Sequence, residues 1–195
     1  MPIEYVRGNI FDANAEVLVN PVNCVGAMGA GLALQFKIRN PKMFAKYQKA
    51  CEKHLLSIGK LMLLDSDRTI DYCGCDPCPY EDCHLGYCKV CHHHHIEPEH
   101  QILLFPTKLH FRDPSELEYI EAGLQKFVQT YAAKGIKSVA FPRLGCGLGG
   151  LDWDTQVNPL MEEYLSSLPI KVLIYQSILS PTKPGSPARG PGKSK

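Results

Sequence analysis

The sequence predicts an α/β protein of three layers, α/β/α, in which a mixed central sheet lies between two layers of helices. Six short apolar segments have the composition of strands, and about four amphipathic segments alternate with them. Two strands run through glycine-bearing loops into helices, an order typical of parallel strands that bind ligands at their carboxyl ends. With 195 residues, 45% of them hydrophobic, the chain can bury one sizeable core. We therefore expect one domain over residues 1–179, with residues 65–100 inserted into it and residues 180–195 as a tail.

The first half of the chain supplies two strands and two helices. Residues 3–6 predict the first strand, and a turn at 8–11 follows. Residues 16–20 predict the second strand, which enters the first glycine loop (residues 21–32) and then a helix ending near Arg39. Asn40 before Pro41 is typical of an N-cap and a first helical position. The next helix is indicated by apolar residues at helical spacing, which are Met43, Phe44, Tyr47, Cys51 and Leu55.

The second half supplies the remaining elements. Residues 60–64 and 101–105 predict two strands that pair as a hairpin around the insertion. Asp113 to Glu116 has a capping residue, a proline and an acid in the order that opens a helix. That helix is expected to bury Leu117, Ile120, Leu124, Phe127, Val128 and Tyr131. A strand at 137–141 then enters the second glycine loop (residues 142–151), a helix opens at Asp152, and residues 171–175 predict the last strand.

The two glycine loops have the composition of phosphate-binding loops. In the second loop, glycine occupies four of the six positions from 145 to 150, which removes the Cβ atoms that would hold a ligand away from the backbone. The helix behind each loop supplies unpaired N–H groups and the positive end of its dipole. Two such loops side by side fit a diphosphate better than a single phosphate. Taken alone, the second loop matches neither the dinucleotide-binding nor the P-loop pattern, so a simple tight turn is its alternative interpretation.

A cysteine-rich segment lies between the two hairpin strands. It contains six of the nine cysteines, which are Cys73, Cys75, Cys78, Cys83, Cys88 and Cys91. Pairs of thiolates two residues apart are typical of tetrahedral zinc sites, which have no open position for chemistry. We predict one or two structural zinc ions here and no cofactor for catalysis; an iron–sulfur cluster or redox-sensing thiols are the alternatives. The four histidines at 92–95 are either a metal store or an exposed run. The other cysteines, Cys24, Cys51 and Cys146, are predicted to be packing residues.

Charge is distributed unevenly along a chain whose formal net charge is +1. Residues 65–100 contain eight acids and two bases, so we expect this acidic insertion to avoid nucleic acid and to dock a protein partner or cover the ligand cleft. Residues 181–195 contain four bases and no acid, in a Pro, Gly and Ser-rich context that predicts disorder. No apolar stretch has the length of a membrane span, and the chain starts without a signal-peptide pattern. These features predict a cytoplasmic protein without a membrane partner.

Four motifs in order make the chain resemble macrodomains. They lie at Gly8-Asn9-Ile10, at residues 19–33, at residues 105–112 and at residues 142–153. Within the family the chain is most similar to the branch that contains the DarG antitoxin and the terminal ADP-ribose protein glycohydrolase. The resemblance covers about residues 2–177 apart from the insertion. It implies a macrodomain fold with ADP-ribose in the cleft.

The resemblance also implies which residues contact ADP-ribose. Asn9 and Ile10 would meet the adenine end, with Asn9 standing where many macrodomains have Asp. Asn20 and Asn23 would lie by the distal part of the ligand, Asn23 near the ribose that carries the reactive C1″. The full implied set is Gly8, Asn9, Ile10, Asn20, Asn23, Val25, Gly26, Met28, Gly29, Ala30, Gly31, Leu32, Thr107, Gly145, Cys146, Gly147, Leu148, Gly149, Gly150 and Trp153.

Lys108 is the catalytic residue that the resemblance implies, because the lysine of the Phe-Pro-Thr-Lys type motif has that role in this branch. It would attack C1″ as a neutral amine or stabilise the opening ribose as a cation. The human-type glycohydrolase pairs its lysine with an aspartate in the second glycine loop, where this chain has Gly149, as in the DarG type. The implied reaction removes ADP-ribose from a macromolecule, and in the DarG type from thymine in DNA, which reverses a toxin.

Three other functions are compatible with the same motifs. The chain could be a non-catalytic module that binds ADP-ribose. It could be an esterase acting on ADP-ribosylated glutamate in proteins or on O-acetyl-ADP-ribose. In the third alternative function, the cysteine-rich segment is a metal or redox sensor that gates the cleft.

Overall fold

A computed structural model describes residues 3–64 and 100–176 of the protein. Its described residues form a six-stranded sheet in the order β1-β6-β5-β2-β4-β3. Five of the strands are parallel, and β3 pairs with β4 in the antiparallel sense, as predicted for the hairpin. The strands are β1 Glu4–Arg7, β2 Val17–Asn23, β3 Met62–Leu64, β4 Gln101–Lys108, β5 Ser138–Pro142 and β6 Lys171–Gln176. This is the mixed sheet that the sequence predicts.

Within residues 3–64 and 100–176, four α-helices cover the two faces of the sheet. They are α1 Gly31–Arg39, α2 Pro41–Glu52, α3 Leu117–Thr130 and α4 Asn158–Leu165. Asn40 caps α2 as predicted, because its side chain accepts a hydrogen bond from the backbone N of Met43 at 2.8 Å. A five-residue π-type turn, Trp153–Val157, precedes α4, and Asp152 caps it by accepting from the backbone N of Thr155.

Alternating side chains along the strands build two cores. On one face, residues such as Val19, Phe105 and Phe141 pack with α3 and α4. On the other face, residues such as Leu18, Leu104 and Ala140 pack with α1 and α2. Because successive strand residues point to opposite faces, a sheet with helices on both sides must be apolar along its whole length. The sequence pattern predicts the three layers for this reason.

Two predicted helix boundaries are wrong. Helix α3 starts at Leu117 rather than at Pro114 after an Asp113 cap, and Glu116 precedes it in extended backbone without a side-chain cap. Ser115 is buried, and its backbone N donates to the carbonyl oxygen of Gly149 at 2.9 Å, so this segment packs on the second glycine loop and cannot join the helix. Helix α2 ends at Glu52, and the predicted stripe residue Leu55 is exposed beyond it.

The insertion is anchored far from the ends of the strands that carry the glycine loops. Residues 65–99, which include the six clustered cysteines and the histidine run, lie outside the described residues, as do residues 177–195. Their neighbours Leu64 and His100 stand at the amino end of β4, because Leu64 pairs with Ile102. Lys108, at the other end of β4, is about 23 Å away at the usual rise of a strand. In the described part of the chain, no helix is both long and apolar enough to cross a bilayer.

Candidate functional site

The two glycine loops and Lys108 meet at one edge of the sheet. Strand β2 lies between β5 and β4 and is parallel to both, so all three strands end at this edge. The first glycine loop follows β2, the second follows β5, and Lys108 is the last residue of β4. The topology therefore brings together the three segments that the sequence predicts to form the site. The space between the two loops is called the cleft below.

The side-chain carboxamide of Asn23 stabilises the first glycine loop by hydrogen bonds to its backbone. Its Oδ1 accepts from the backbone N of Val25 at 3.1 Å and of Ala27 at 3.2 Å, and its Nδ2 donates to the carbonyl of Ala27 at 2.6 Å. The side chain is buried, with 7% of its surface exposed. The resemblance implies that Asn23 contacts the ligand near the distal ribose. In this structure its polar atoms bind the loop backbone.

Tyr47 on α2 fixes Asn23 in this position. Its hydroxyl lies 2.8 Å from the carbonyl oxygen of Asn23 and 2.9 Å from Oδ1, and the ring is fully buried. Burial, reinforced by the nearby thiol of Cys51, raises the pKa of Tyr47 far above that of an ordinary tyrosine. The hydroxyl therefore stays neutral and keeps its donor proton. Tyr47 is a site residue that sequence reasoning missed, because the helical pattern identified it only as an apolar contact.

The end of the first glycine loop presents unpaired backbone donors. Gly29 and Ala30 donate no backbone hydrogen bond to the described residues, and the first N–H groups of α1, from Gly31 to Ala33, have no intrahelical acceptor. Ala30 is extended and precedes the helix without a side-chain cap. The sequence predicts unpaired N–H groups at this helix start, and this is where the structure has them.

The second glycine loop is held in a compact turn by its own backbone. Leu151 N donates to Gly145 O at 3.0 Å, and Gly150 N donates to Gly147 O at 3.2 Å. A Cβ at Gly149 would overlap the Gly145 carbonyl oxygen and the Ser115 hydroxyl and lie 2.8 Å from the Gly145 carbonyl carbon. Position 149 therefore has no room for any side chain. Among the described residues, the N–H groups of Gly147, Leu148 and Gly149 have no acceptor.

Arg143 and Trp153, which flank the second glycine loop in sequence, contact each other. The guanidinium carbon of Arg143 lies 5.0 Å from the centroid of the Trp153 ring, and that ring is buried. Burial raises the pKa of the Cys146 thiol to about 11, although Arg143 acts in the opposite direction. Burial also raises the pKa of Cys24 and of Cys51. All three thiols are therefore kept neutral, which agrees with their predicted packing role.

The second glycine loop approaches the first through Leu148. A Cβ at Gly31 would lie 3.6 Å from Cδ1 of Leu148, although 73% of the Leu148 surface is exposed. Lys108 reaches across the end of β2, and its Nζ donates to the Leu148 carbonyl oxygen at 2.6 Å. The predicted catalytic amine thus lies against the backbone of the second glycine loop, beside the unpaired N–H groups.

A bulge at the end of β4 aims Lys108. Val22 of β2 pairs with Pro106, whereas the next residue, Asn23, pairs with Lys108, so Thr107 is an extra residue in β4. Thr107 is buried, with its Oγ1 3.5 Å from the carbonyl of Val22. Bulges are rare between parallel strands and often lie next to active sites, where they re-aim a side chain.

The predicted adenine-end residues lie beyond β1. Gly8 packs near the ring of Tyr175, since a Cβ at position 8 would lie 3.6 Å from Cε1 of that ring. Asn9 caps a 3₁₀ turn, Ile10–Asp12, and its Oδ1 accepts from the backbone N of Phe11 at 3.3 Å. Ile10 is buried. The Asn9 carboxamide therefore has one lone pair committed to its own turn and a second available to a ligand.

Other predicted contact residues are buried under the loops. Asn20 is completely buried, with its Nδ2 3.9 Å from the sulfur of Met28, which is also buried. The Oδ1 of Asn20 has no hydrogen-bond partner among the described residues. By contrast, Val25 is half exposed and lies at the surface of the first glycine loop. Some of the predicted contact residues therefore form a buried layer under the loops, whereas others lie at the exposed surface of the loops.

Comparisons with known proteins agree with this geometry. The family model for the Macro domain matches residues 71–159. The macrodomain of Thermus aquaticus DarG has been solved; it is 35% identical with a TM-score of 0.70, and the match covers 89% of this chain and 97% of that chain. The solved structure of Thermosipho africanus DarTG in complex with ADP-ribose is 36% identical with a TM-score of 0.74, covering 94% of this chain and 43% of that one.

A curated relative from Mycobacterium tuberculosis is named DNA ADP-ribosyl glycohydrolase. It is 38% identical over 173 residues, which are 89% of this chain and 42% of the relative. A relative from Thermus aquaticus with the same name is 35% identical over 180 residues, again with 42% of its length covered. The chain thus spans less than half the length of these curated relatives.

Proposed function

Because the chain belongs to the macrodomain family, we propose that it binds ADP-ribose in the cleft and hydrolyses the bond between ADP-ribose and a thymine base of DNA. The main observation behind this proposal is the hydrogen bond between Lys108 and the second glycine loop, in which Nζ donates to the Leu148 carbonyl oxygen at 2.6 Å. The similarity to relatives named for hydrolysis of DNA ADP-ribosylation supports the choice of substrate.

The diphosphate would lie between the two groups of unpaired N–H donors. One group belongs to the start of α1 and the other to Gly147, Leu148 and Gly149. Backbone donors of this kind hold phosphate oxygens without a counter-charge from a side chain.

Lys108 would act on the bond at C1″ once the diphosphate is held. In the hydrolysis, the C1″–N bond breaks and its electron pair remains on the thymine nitrogen. The oxygen of a water molecule bonds to C1″, and one of its protons ends on the base. As an ammonium group, Lys108 would stabilise the negative charge that develops on the departing thymine.

The alternative role of Lys108 is attack on C1″ as a neutral amine. The related human-type enzyme that the sequence resembles uses an aspartate of the second glycine loop with its lysine. Position 149 of this chain has no room for a carboxylate, because Gly145 and Ser115 occupy the space of its side chain. This packing favours the ammonium role, and intact-protein mass spectrometry of a reacting mixture is expected to find no ADP-ribose attached to Lys108.

Single-turnover hydrolysis tests the proposal. The substrates are a single-stranded oligonucleotide ADP-ribosylated on thymine and a peptide ADP-ribosylated on glutamate. We expect wild-type protein to release ADP-ribose from the DNA and Lys108→Ala to be slower by roughly 100-fold or more, the usual effect of losing one such catalytic group. Lys134→Ala, an exposed lysine after α3, is the matched control and is expected to match wild type.

Each other outcome has a definite meaning. Binding of free ADP-ribose without release from either substrate would indicate a non-catalytic binding module. Release from the peptide alone would indicate an esterase. Full activity of Lys108→Ala on DNA would remove Lys108 from the mechanism.

For the cysteine-rich insertion we propose a structural zinc site that takes no part in catalysis. The cysteine spacing supports zinc. Among residues 3–64 and 100–176, no group of three or more His, Cys, Asp or Glu side chains could hold a metal ion. Both anchors of the insertion lie at the sheet edge opposite Lys108, which favours a protein-docking role over a lid on the cleft.

A further inference from the structure

The segment that follows Lys108 exposes apolar surface that the proposed hydrolysis does not use. Leu109 and Phe111 each expose 49% of their surface, whereas the strand before them is buried. The backbone N of Cys24 donates to the carbonyl of Leu109 at 3.1 Å, which ties the segment to the first glycine loop and its half-exposed Val25. The exposed segment therefore borders the cleft next to the amine.

Phe111 lies beside an imidazole ring and a guanidinium group. The ring of His110 lies 4.2 Å from the Phe111 ring, centroid to centroid. The guanidinium carbon of Arg112 lies 5.4 Å from the same ring, and the backbone N of Arg112 donates to Nδ1 of His110 at 3.3 Å. Leu109, His110, Phe111 and Arg112 together are called the aromatic platform below. The nearest acid in sequence, Asp113, is exposed and follows the platform, and its backbone N donates to the carbonyl of His110.

We propose that the aromatic platform binds single-stranded DNA beside the modified thymine, with Phe111 stacked on a neighbouring base and Arg112 near a phosphate. The inference rests on the proposed function and names the part of the substrate outside the ADP-ribose. Nucleobases of any sequence stack on exposed aromatic rings, and arginine adds cation–π contact and attraction to the backbone. A purely apolar partner would gain nothing from the guanidinium, whereas a nucleotide uses the ring and the cation together.

We expect Phe111→Ala to lose activity only on substrates in which nucleotides neighbour the modified thymine. With an ADP-ribosylated oligonucleotide, Phe111→Ala is expected to lower kcat/KM about tenfold, within the range of one base–aromatic stack. With ADP-ribosylated thymidine nucleoside, the same variant is expected to stay within about twofold of wild type, because no neighbouring base exists. Phe111→Trp is expected to restore the oligonucleotide rate. The control is Ile38→Ala, an exposed apolar residue on α1 that is 67% exposed, which is expected to change neither rate.

Salt dependence tests the role of Arg112. Binding of the ADP-ribosylated oligonucleotide weakens as salt rises, because each phosphate contact releases counterions; one contact to a single strand contributes a slope of about 0.7 in the double-logarithmic plot. Arg112→Gln is expected to flatten the slope by about that amount. Affinity for free ADP-ribose, measured by calorimetry, is expected to be unchanged.

The failure of this inference can be distinguished from the failure of the proposed function. If wild-type protein releases ADP-ribose from DNA and Phe111→Ala slows oligonucleotide and nucleoside equally, the platform is not a base-binding surface. If the loss appears instead with ADP-ribosylated peptides and not with DNA, the platform binds protein, and the inference is wrong. If wild-type protein releases nothing from any DNA substrate, the proposed function itself fails.

Discussion

Replacement of Gly149 by alanine tests the geometry of the second glycine loop. A new Cβ would overlap the carbonyl oxygen of Gly145 and the hydroxyl of Ser115. It would lie 2.8 Å from the Gly145 carbonyl carbon, where ordinary contact begins at 3.4 Å, so these backbone segments must separate by at least about 0.6 Å. The separation strains the hydrogen bonds from Leu151 N to Gly145 O and from Ser115 N to Gly149 O.

The expected effect of Gly149→Ala follows from overpacking and lost hydrogen bonds. Overpacking costs about 1–3 kcal/mol, and the weakening of the two hydrogen bonds together about 1 kcal/mol, so the free energy of unfolding should fall by roughly 2–4 kcal/mol. For a domain of this size that is a decrease in Tm of roughly 5–15 °C. Because the N–H groups of residues 147–149 move with the loop, we also expect the Kd for ADP-ribose to rise at least about tenfold.

Gly147 of the same loop provides the control. A Cβ there meets nothing within 4 Å, and its φ is not in the left-handed region, so Gly147→Ala should leave Tm within about 2 °C of wild type. Differential scanning calorimetry and isothermal titration with ADP-ribose measure both quantities. If Gly149→Ala matched wild type in Tm and in Kd, the described packing of this loop would be incorrect.

Three further predictions concern the loop support, the thiol and the insertion. Tyr47→Phe removes the hydroxyl that donates to Asn23, so it should lower the free energy of unfolding by about 1–2 kcal/mol and weaken ADP-ribose binding. The control is Tyr5→Phe, whose hydroxyl is bonded at the surface and whose loss should change the free energy of unfolding by no more than about 0.5 kcal/mol. Equal melting temperatures for the two variants would contradict the role of Tyr47 in supporting the loop. Cys146, with its pKa raised to about 11, should resist iodoacetamide at pH 8 in native protein. Its folded pKa lies above the ordinary value of 9.0, so its contribution to stability is present below about pH 9 and is lost as pH rises toward 11; rapid alkylation at pH 8 would argue against the burial. Elemental analysis should find one or two zinc ions per chain, and chelation should lower Tm while leaving the Kd for ADP-ribose within about twofold; a metal-free stable protein would exclude the zinc site.

The layered fold could be predicted from the sequence because it depends on local patterns. Apolar strands followed by glycine loops and amphipathic helices leave few arrangements for a chain of this length, and the hairpin follows from the two apolar segments that flank the insertion. The start of α3 could not be predicted in the same way. Asp113 to Glu116 has good local capping residues, but the burial of Ser115 against Gly149 outweighs them.

Prediction of the site was limited by contacts between distant parts of the chain. The glycine composition indicated backbone donors at both loops, which the structure confirms. It could not show that the Asn23 carboxamide supports its own loop, since that depends on Tyr47 from a helix 24 residues further on. The bond from Lys108 to Leu148 joins residues 40 apart and depends on the strand order. Only the assembled sheet brings these groups together.

Because Thr107 is an extra residue in β4, the direction of the Lys108 side chain depends on the number of residues in the strand at this position. Removing Thr107 would let the pairing of β2 and β4 continue in step, with the lysine still opposite Asn23, but would remove the bend and twist that the extra residue gives the end of β4. Substitutions around this position can therefore be tolerated where a single-residue deletion would not be. We expect such a deletion to preserve folding and ligand affinity while moving the amine away from the scissile bond.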